Sequence, residues 1–306
     1  ARDVDTRNRQ LSMRTYRVIP LQPLIGLLEW IPQSIPLTQW LADAHQRLRP
    51  HDLKLAECRE LLQNICGRPG ASVPAKLDVL QNQIWPKFAP VLRHFFFETF
   101  SKTAESFWQA KATYTQSLAT SSIVGWIVGL GDRHGMNILL DQNTGGVIHI
   151  DLNMIFEVGK TLRIPELVPF RLTPDCVDPL GPDRLGLDGP FREHCIATLR
   201  LLKRERALLL MIMEVFKYDP LQKWTGLAHA AHNTSAATGS ESSSHVASTS
   251  FVAKEAQRAL LRIKEKLEGR EEGAILSDSG QVSYLMQTAM DPELLCQMFY
   301  GWQPWL

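Results

Sequence analysis

Asp132, Asn137 and Asp151 are the residues of this 306-residue chain whose types and spacing point most directly to chemistry. Asp132 and Asn137 carry the D-x-x-x-x-N spacing of a phosphoryl-transfer loop, in which the Asp accepts a hydroxyl proton and the Asn holds a metal. The order is not the common HRD, because Asp132 precedes Arg133 and His134. The amide oxygen of Asn137 and the carboxylate of Asp151 suit a small hard cation such as Mg²⁺, which takes oxygen ligands and keeps several waters. Taken singly, each residue is better read as part of a polar surface loop. The chemistry requires all three to converge.

Convergence is what the flanking pattern predicts. Residues 138–140 (ILL) and 147–150 (VIHI) are β-prone runs, and 141–146 (DQNTGG) is rich in turn residues, so the stretch reads as a β-hairpin. If Leu140 pairs with Val147, Asn137 falls opposite Ile150, and Asn137 and Asp151 emerge at the same end. Upstream, a helical pattern from Ser106 (Phe107, Trp108, Tyr114, Leu118, Ile123, Trp126, Ile127) runs into Gly129-Leu130-Gly131, where glycine permits a sharp entry into the loop.

Composition narrows the class. A formal net charge of +1 with 44% hydrophobic residues fits a soluble globular protein of one large or two modest domains, not a basic nucleic-acid binder. The five cysteines (Cys58, Cys66, Cys176, Cys195, Cys296) show no CxxC spacing and read as reduced thiols. No apolar run approaches the roughly 18 residues of a membrane span, and no signal peptide is visible. The charged start ARDVDTRNRQ, without an initiator Met, reads as a piece of a longer chain.

The remaining chain supplies a frame. Residues 11–20 and 25–31 suit strands of a small sheet, with Pro32 and Pro36 stopping the second. Helical spacing covers 37–66, broken at Arg49-Pro50 and again at 67–70. A long helical region follows from about Ala75, with Phe88, Val91, Leu92, Phe95, Phe96 and Phe100 as candidate core. The stretch from Asp151 to Thr173 is irregular, and 191–216 is strongly helical, its KRER run at 203–206 read as a solvated face. Residues 226–250 read as a disordered linker, 251–268 as a charged helix, and the last thirty as two short helices, the second opened by Asp291 as N-cap and Pro292 at the first position. The terminal GWQPWL reads as docked on the core in preference to a partner or membrane contact.

GLGDRHGMNILLD, VIHIDLNMIFEVGK, VPFRLT and QMFYGWQPWL together resemble the kinase domain and FATC segment of the phosphatidylinositol 3-kinase-related protein kinases. The resemblance covers nearly the whole chain outside 226–250. It implies an α+β, protein-kinase-like fold: residues 1–36 as a remnant of the N-lobe sheet and hinge, 37–225 as a mainly helical C-lobe, 251–274 as a regulatory helix and 275–306 as the FATC helices. By the same resemblance Asp132 is the catalytic base, His134 lies beside the transferred phosphate, and Asn137 and Asp151 hold metal. Trp30 and Ile31 form the adenine hinge, with Tyr16, Leu28, Leu139 and Ile150 lining the nucleotide pocket. His149 is open between a structural and a catalytic role.

The implied cofactors are ATP and Mg²⁺, with Mn²⁺ as a possible substitute. The implied activity is serine/threonine protein phosphorylation at Ser/Thr-Gln sites in DNA-damage checkpoint signalling. Implied partners are protein substrates, an upstream helical scaffold of the same chain, a DNA-break sensor complex and a second copy in a homodimer, with a nuclear location and no direct DNA contact by this region. Two departures stand out. Asn153 replaces the glycine usual in this class, and the family's phosphate-covering loop and ATP-pairing lysine lie upstream of the segment corresponding to Ala1, so the piece alone is expected to be inactive. A lipid kinase and a non-catalytic scaffold are the alternatives. Between Asp151 and Thr173 only Lys160, Arg163 and Arg171 are basic, offset by Glu157 and Glu166, which favours a peptide over a phosphorylated head group.

Overall fold

The computed structural model describes residues 11–22, 25–66, 71–181, 186–216, 257–271 and 273–306. Strands β1 (Val18–Gln22) and β2 (Ile25–Leu28) pair antiparallel with Val18 opposite Leu28, and every residue in both is exposed. Both strands are shorter than the sequence pattern predicts. A third short strand, β3 (Ser34–Pro36), was hidden by its prolines. It lies at the edge of the sheet β3-β4-β5, and an edge strand tolerates a missing N–H on its unpaired side.

Helices α1 (Leu37–Leu48) and α2 (Leu55–Cys66) bury one face each, through Leu37, Trp40, Leu41, Ala44 and His45 on the first and Cys58 and Leu62 on the second. The long helix expected from Ala75 is broken. It is α3 (Val73–Asp78), a π-helical turn over Val79–Ile84 and a 3-10 turn over Trp85–Lys87, before α4 (Arg93–Phe100). Pro86 has no N–H to continue the ladder, so the chain changes hydrogen-bonding pattern around it. The aromatic group expected as core is buried, with Phe95 and Phe96 edge to face at 5.2 Å and Phe96 on Tyr114 at the same distance.

Helix α5 (Ala104–Val128) starts at a capping box between Thr103 and Ser106 and ends on the left-handed Gly129. Its second half is buried nearly all round, its small hydroxyl residues Ser117, Thr120, Ser121 and Ser122 included, as befits a helix at the centre of a domain. Against it lie the hairpin β4 (Ile138–Asp141) and β5 (Val147–His149), and, past the one-turn α6 (Pro174–Val177), helix α7 (Arg192–Arg204). The helix expected over 191–216 breaks at Glu205 before α8 (Arg206–Phe216). Lys203 is not a solvated residue: its Nζ meets Asp278 Oδ1 at 2.9 Å, while Arg204, Glu205 and Arg206 are exposed.

Helix α9 spans 257–267 and leads through the two-residue strands β6 (Arg270–Glu271) and β7 (Ala274–Ile275) into α10 (Asp278–Ala289) and α11 (Pro292–Leu295). Asp291 caps α11 as expected, accepting from Glu293 N at 2.9 Å with Pro292 at the first position. Trp302, Trp305 and Leu306 are buried in the same core as α5, so the tail is docked. The linker expected at 226–250 lies outside the described residues. All five cysteines are free, and among the described residues no helix is long and apolar enough to cross a membrane.

Candidate functional site

The hairpin forms in the register expected. Leu140 pairs with Val147, Ile138 with His149, and Ile150 N donates to Asn137 O at 3.1 Å. Strand alternation then splits the side chains. Ile138, Leu140 and Val147 enter the main core, while Leu139 and Ile148 turn to a second, smaller cluster. Just before the hairpin, Asn137 is buried and its Nδ2 donates to Asp132 O at 3.0 Å, with Asp132 Oδ2 3.4 Å away. Asp132 and His134 are half-buried and Asp151 is exposed. Asp132 and Asp151 both sit in the left-handed region, at φ 57° and 53°, which non-glycine residues occupy only where their surroundings hold them.

Arg133 braces the backbone beside both. Its side chain is 3% exposed, with Nε donating to Gly131 O at 2.8 Å and one terminal nitrogen to Ile150 O at 2.7 Å. The other terminal nitrogen donates to Asp151 O, so one guanidinium ties the start of the loop to the end of β5. His134 Nδ1 accepts from Met136 N at 3.2 Å, which leaves Nε2 to carry the neutral ring's proton, 3.7 Å from Asp132 Oδ1. His149 is half-buried, its ring beside Arg133. Burial and then that positive charge push its imidazole down to about 3, so it is neutral at physiological pH.

Four of the six residues expected around a nucleotide come together. Ile31, Leu139 and Ile148 form the smaller apolar cluster, with Tyr16 and Ile150 packed on it. Leu28 and Trp30 do not join them and are 68% and 85% exposed. The reason is topological: β1 and β2 form their own two-stranded sheet, with no hydrogen-bonded pairing to β3-β4-β5. Asn153, which stands where this class usually carries glycine, does not take positive φ; in this segment positive φ falls at Asp151, Phe156 and Glu157.

The segment after Asp151 folds back on the loop's entry. Phe156 N donates to Val128 O at 2.7 Å and Glu157 N to Gly129 O at 2.8 Å. A Cβ at Gly129 would lie 2.4 Å from Glu157 N, so glycine is needed there for close approach as well as for its φ of 66°. Glu157 in turn receives Lys266 Nζ from α9 at 2.7 Å, while that same nitrogen donates to Trp126 O at 2.7 Å. Burial alone would push the Glu157 carboxyl up, but Lys266 and Lys160 outweigh it and hold it down at about 2.

Three of the five charges that the sequence pattern assigns to a substrate-facing surface therefore turn inward, while Lys160 and Arg163 stay exposed. Besides Glu157, Glu166 accepts the Asp132 N–H. Arg171 is buried and donates to Trp302 O and Gln303 O, both at 2.7 Å, and to Leu306 O at 2.9 Å. No local signal marks Glu166 or Arg171 as inward, since each finds its partners more than thirty residues away.

A helical body carrying a short hairpin, with the Asp–Asn loop at the hairpin's mouth, is a kinase-like fold. The chain belongs to the phosphatidylinositol 3- and 4-kinase family, which matches residues 2–226, and residues 275–306 match the FATC domain. It is 40% identical over 324 residues to Serine-protein kinase ATM of Sus scrofa, covering 100% of this chain and 10% of that protein. To Serine/threonine-protein kinase ATM of Arabidopsis thaliana it is 42% identical over 311 residues, covering 99% and 8%. A solved structure described as the FAT and kinase domain of CtTel1 superimposes with a TM-score of 0.82 at 36% identity, covering 99% of this chain and 19% of that one. The complete CtTel1 dimer with C2 symmetry gives the same TM-score and identity over 98% of this chain and 10% of that one. The chain thus spans about a tenth of the length of the curated relatives it matches.

Proposed function

We propose that this chain carries the catalytic loop of a serine/threonine protein kinase that transfers the γ-phosphoryl group of ATP to Ser or Thr hydroxyls, chiefly those followed by Gln. The observation that carries the reading is the buried Asn137, whose amide nitrogen is spent on Asp132. Among the described residues no hydrogen bond engages Asn137 Oδ1 or the Asp151 carboxylate, so two oxygen donors stand open beside a candidate base. That donor set fits a hard divalent cation. Asn137 and Asp151 would hold Mg²⁺, which when bound neutralises charge on the transferring phosphates. Asp132 takes the hydroxyl proton of the substrate. His134, with its Nε2 proton on the Asp132 side, donates a hydrogen bond to a phosphate oxygen. Tyr16, Ile31, Leu139 and Ile150 offer the apolar surface for adenine, and Leu28 and Trp30 take part only if the β1–β2 hairpin moves toward them.

A protein substrate is favoured over a lipid for two reasons. Both curated relatives above carry protein-kinase names. Of the basic residues between Asp151 and Thr173, Arg171 is buried against the tail and the exposed Lys160 is shared with Glu157 at 3.1 Å, which leaves Arg163 as the one exposed cation of the three without an ion pair among the described residues, too few for a phosphorylated head group. Given Mg-ATP, the full-length protein should label a Ser-Gln peptide over its Ser-Ala counterpart and over phosphoinositide vesicles, and an Asp151→Ala variant should label none of them. Equal labelling by wild type and variant would sink the kinase reading; preference for vesicles would replace it with a lipid kinase.

The same reading places the full-length protein in the nucleus, in DNA-damage checkpoint signalling, as a homodimer that a DNA-break sensor complex recruits and an upstream helical scaffold of the same chain supports. The C2 dimer described for CtTel1 supports the homodimer. A cytoplasmic monomer, unmoved by induced DNA breaks in imaging and sizing experiments, would contradict it.

A further inference from the structure

Glu166 sits in the irregular segment between Asp151 and Thr173, yet its carboxylate reaches back to the catalytic loop. Both Oε atoms lie 2.9 Å from Asp132 N. The approach is built for it. Glu166 N donates to Gly159 O at 3.0 Å, and Gly131 N donates to Met154 O at 2.6 Å, so segment and loop run side by side. A Cβ at Gly131 would fall 2.7 Å from Glu166 Oε2, and one at Gly159 would fall 2.6 Å from the same atom. The carboxylate occupies the volume that two side chains would otherwise fill.

Asp132 needs such support. At φ 57° its backbone is strained by on the order of 1 kcal/mol or more, and strain of this kind persists only where the surroundings over-determine it. Its carbonyl is held by Asn137 Nδ2, and its N–H is held by Glu166. A hydrogen bond from a backbone N–H to a charged carboxylate is roughly twice as strong as a neutral one. Burial, and after it the nearby Asp132 carboxylate, raise the proton affinity of Glu166 above the ordinary carboxylate value, which the Asp132 N–H, Arg133 and Arg171 offset only in part.

We infer that Glu166 is a positioning residue for Asp132: it fixes the backbone that presents the base, and so makes correct placement of residues 152–166 a condition for phosphoryl transfer. The inference rests on the kinase reading above. It adds that the segment following the metal residue acts on the base through a backbone hydrogen bond, not through the substrate.

The test uses the full-length protein with Mg-ATP and a Ser-Gln peptide, in the variants Glu166→Ala, Glu166→Gln, Asp132→Asn and the Glu166→Ala/Asp132→Asn double. Glu166→Ala should lower kcat about a hundredfold, the scale of a 1 Å misplacement, while KM for ATP changes less than about twofold. Glu166→Gln keeps an oxygen that accepts the N–H and should recover to within about tenfold of wild type. Adding Glu166→Ala to Asp132→Asn should cost less than about threefold more, since both changes act through one group. Hydrogen exchange should quicken over residues 129–137 in Glu166→Ala and stay unchanged over α7. A multiplicative loss in the double variant, a Gln variant no better than Ala, or unchanged exchange over 129–137 overturns the inference. If Glu166→Ala does not fold, the Gln variant carries the test, and a fall in kcat with KM unmoved is the supporting result. Wild-type rates in Asp132→Asn overturn the role of Asp132 as base, and equal labelling by wild type and Asp151→Ala overturns the kinase reading; in either case the exchange result still decides whether Glu166 holds the loop.

Discussion

The guanidinium of Arg171 lies 4.3 Å from the ring centroid of Trp302 and donates to that residue's main-chain oxygen at 2.7 Å. Another of its nitrogens serves Gln303 O and Leu306 O, and Arg133 O is 3.4 Å away. One buried cation thus joins residues 302–306 to the loop that carries Asp132. Truncation by Trp302→Ala should destabilise the protein by about 3–5 kcal/mol, the range for a buried aromatic. Arg171→Lys keeps the charge but loses the planar fork, and should also lower the midpoint of denaturant unfolding. A midpoint unchanged in both variants would show that the tail is not held this way.

Gly129 is the point where α5, the loop and the returning segment meet. Gly129→Ala puts a Cβ 2.4 Å from Glu157 N and demands a left-handed alanine, which together should cost about 1–3 kcal/mol. The strain falls three residues before Asp132, so peptide phosphorylation should drop more than thermal stability predicts. Wild-type kinetics in this variant would mean the segment moves aside freely.

Asp175 is fully buried. Its Oδ1 accepts from Val91 N at 2.8 Å and Leu92 N at 3.2 Å, while Oδ2 has no partner among the described residues. Burial pushes the carboxyl up to about 7, against those N–H groups. Because this folded-state value is above the unfolded one, the associated stability is full below about pH 4 and is lost as pH rises toward 7. Asp175→Asn keeps the accepting oxygen and carries no charge, so its melting temperature should vary less than wild type between pH 4 and 7. Parallel pH profiles for the two proteins would refute the assignment.

Lys266, 1% exposed, meets Glu157 at 2.7 Å, and burial holds its ammonium down to about 8 despite that partner. Removing either partner strands a charge, so Glu157→Gln and Lys266→Met should each cost about 3–5 kcal/mol. The double variant should cost less than the sum, with a coupling of about 1–3 kcal/mol. Strict additivity in urea unfolding would place the two residues in separate environments. The low value of Glu157 predicts that its share of stability is present above about pH 4.5 and is lost as pH falls toward 2.

Much of the site was legible because its signals are local. The five-residue spacing of Asp132 and Asn137, the register from Leu140 to Val147 and the Asp291-Pro292 cap each depend on neighbours a few positions away. The break at Pro86 and the edge strand at Pro36 were misread locally, since a proline forbids one hydrogen bond and leaves open which alternative the chain adopts.

By itself the sequence determined the hairpin, the placement of three oxygen-bearing side chains at one end of it, and the aromatic core that supports α5. Tertiary structure alone decided which charges turn inward. Glu157, Glu166, Arg171 and Lys266 read as surface residues because an isolated charge belongs in water. Each is internal here only because a distant element delivers a partner: Lys266 for Glu157, the Asp132 N–H for Glu166, and the tail's carbonyl oxygens for Arg171. The same dependence works in reverse for Trp30. Its apolar ring calls for burial, but no described element packs over β1 and β2, and it stays in solvent.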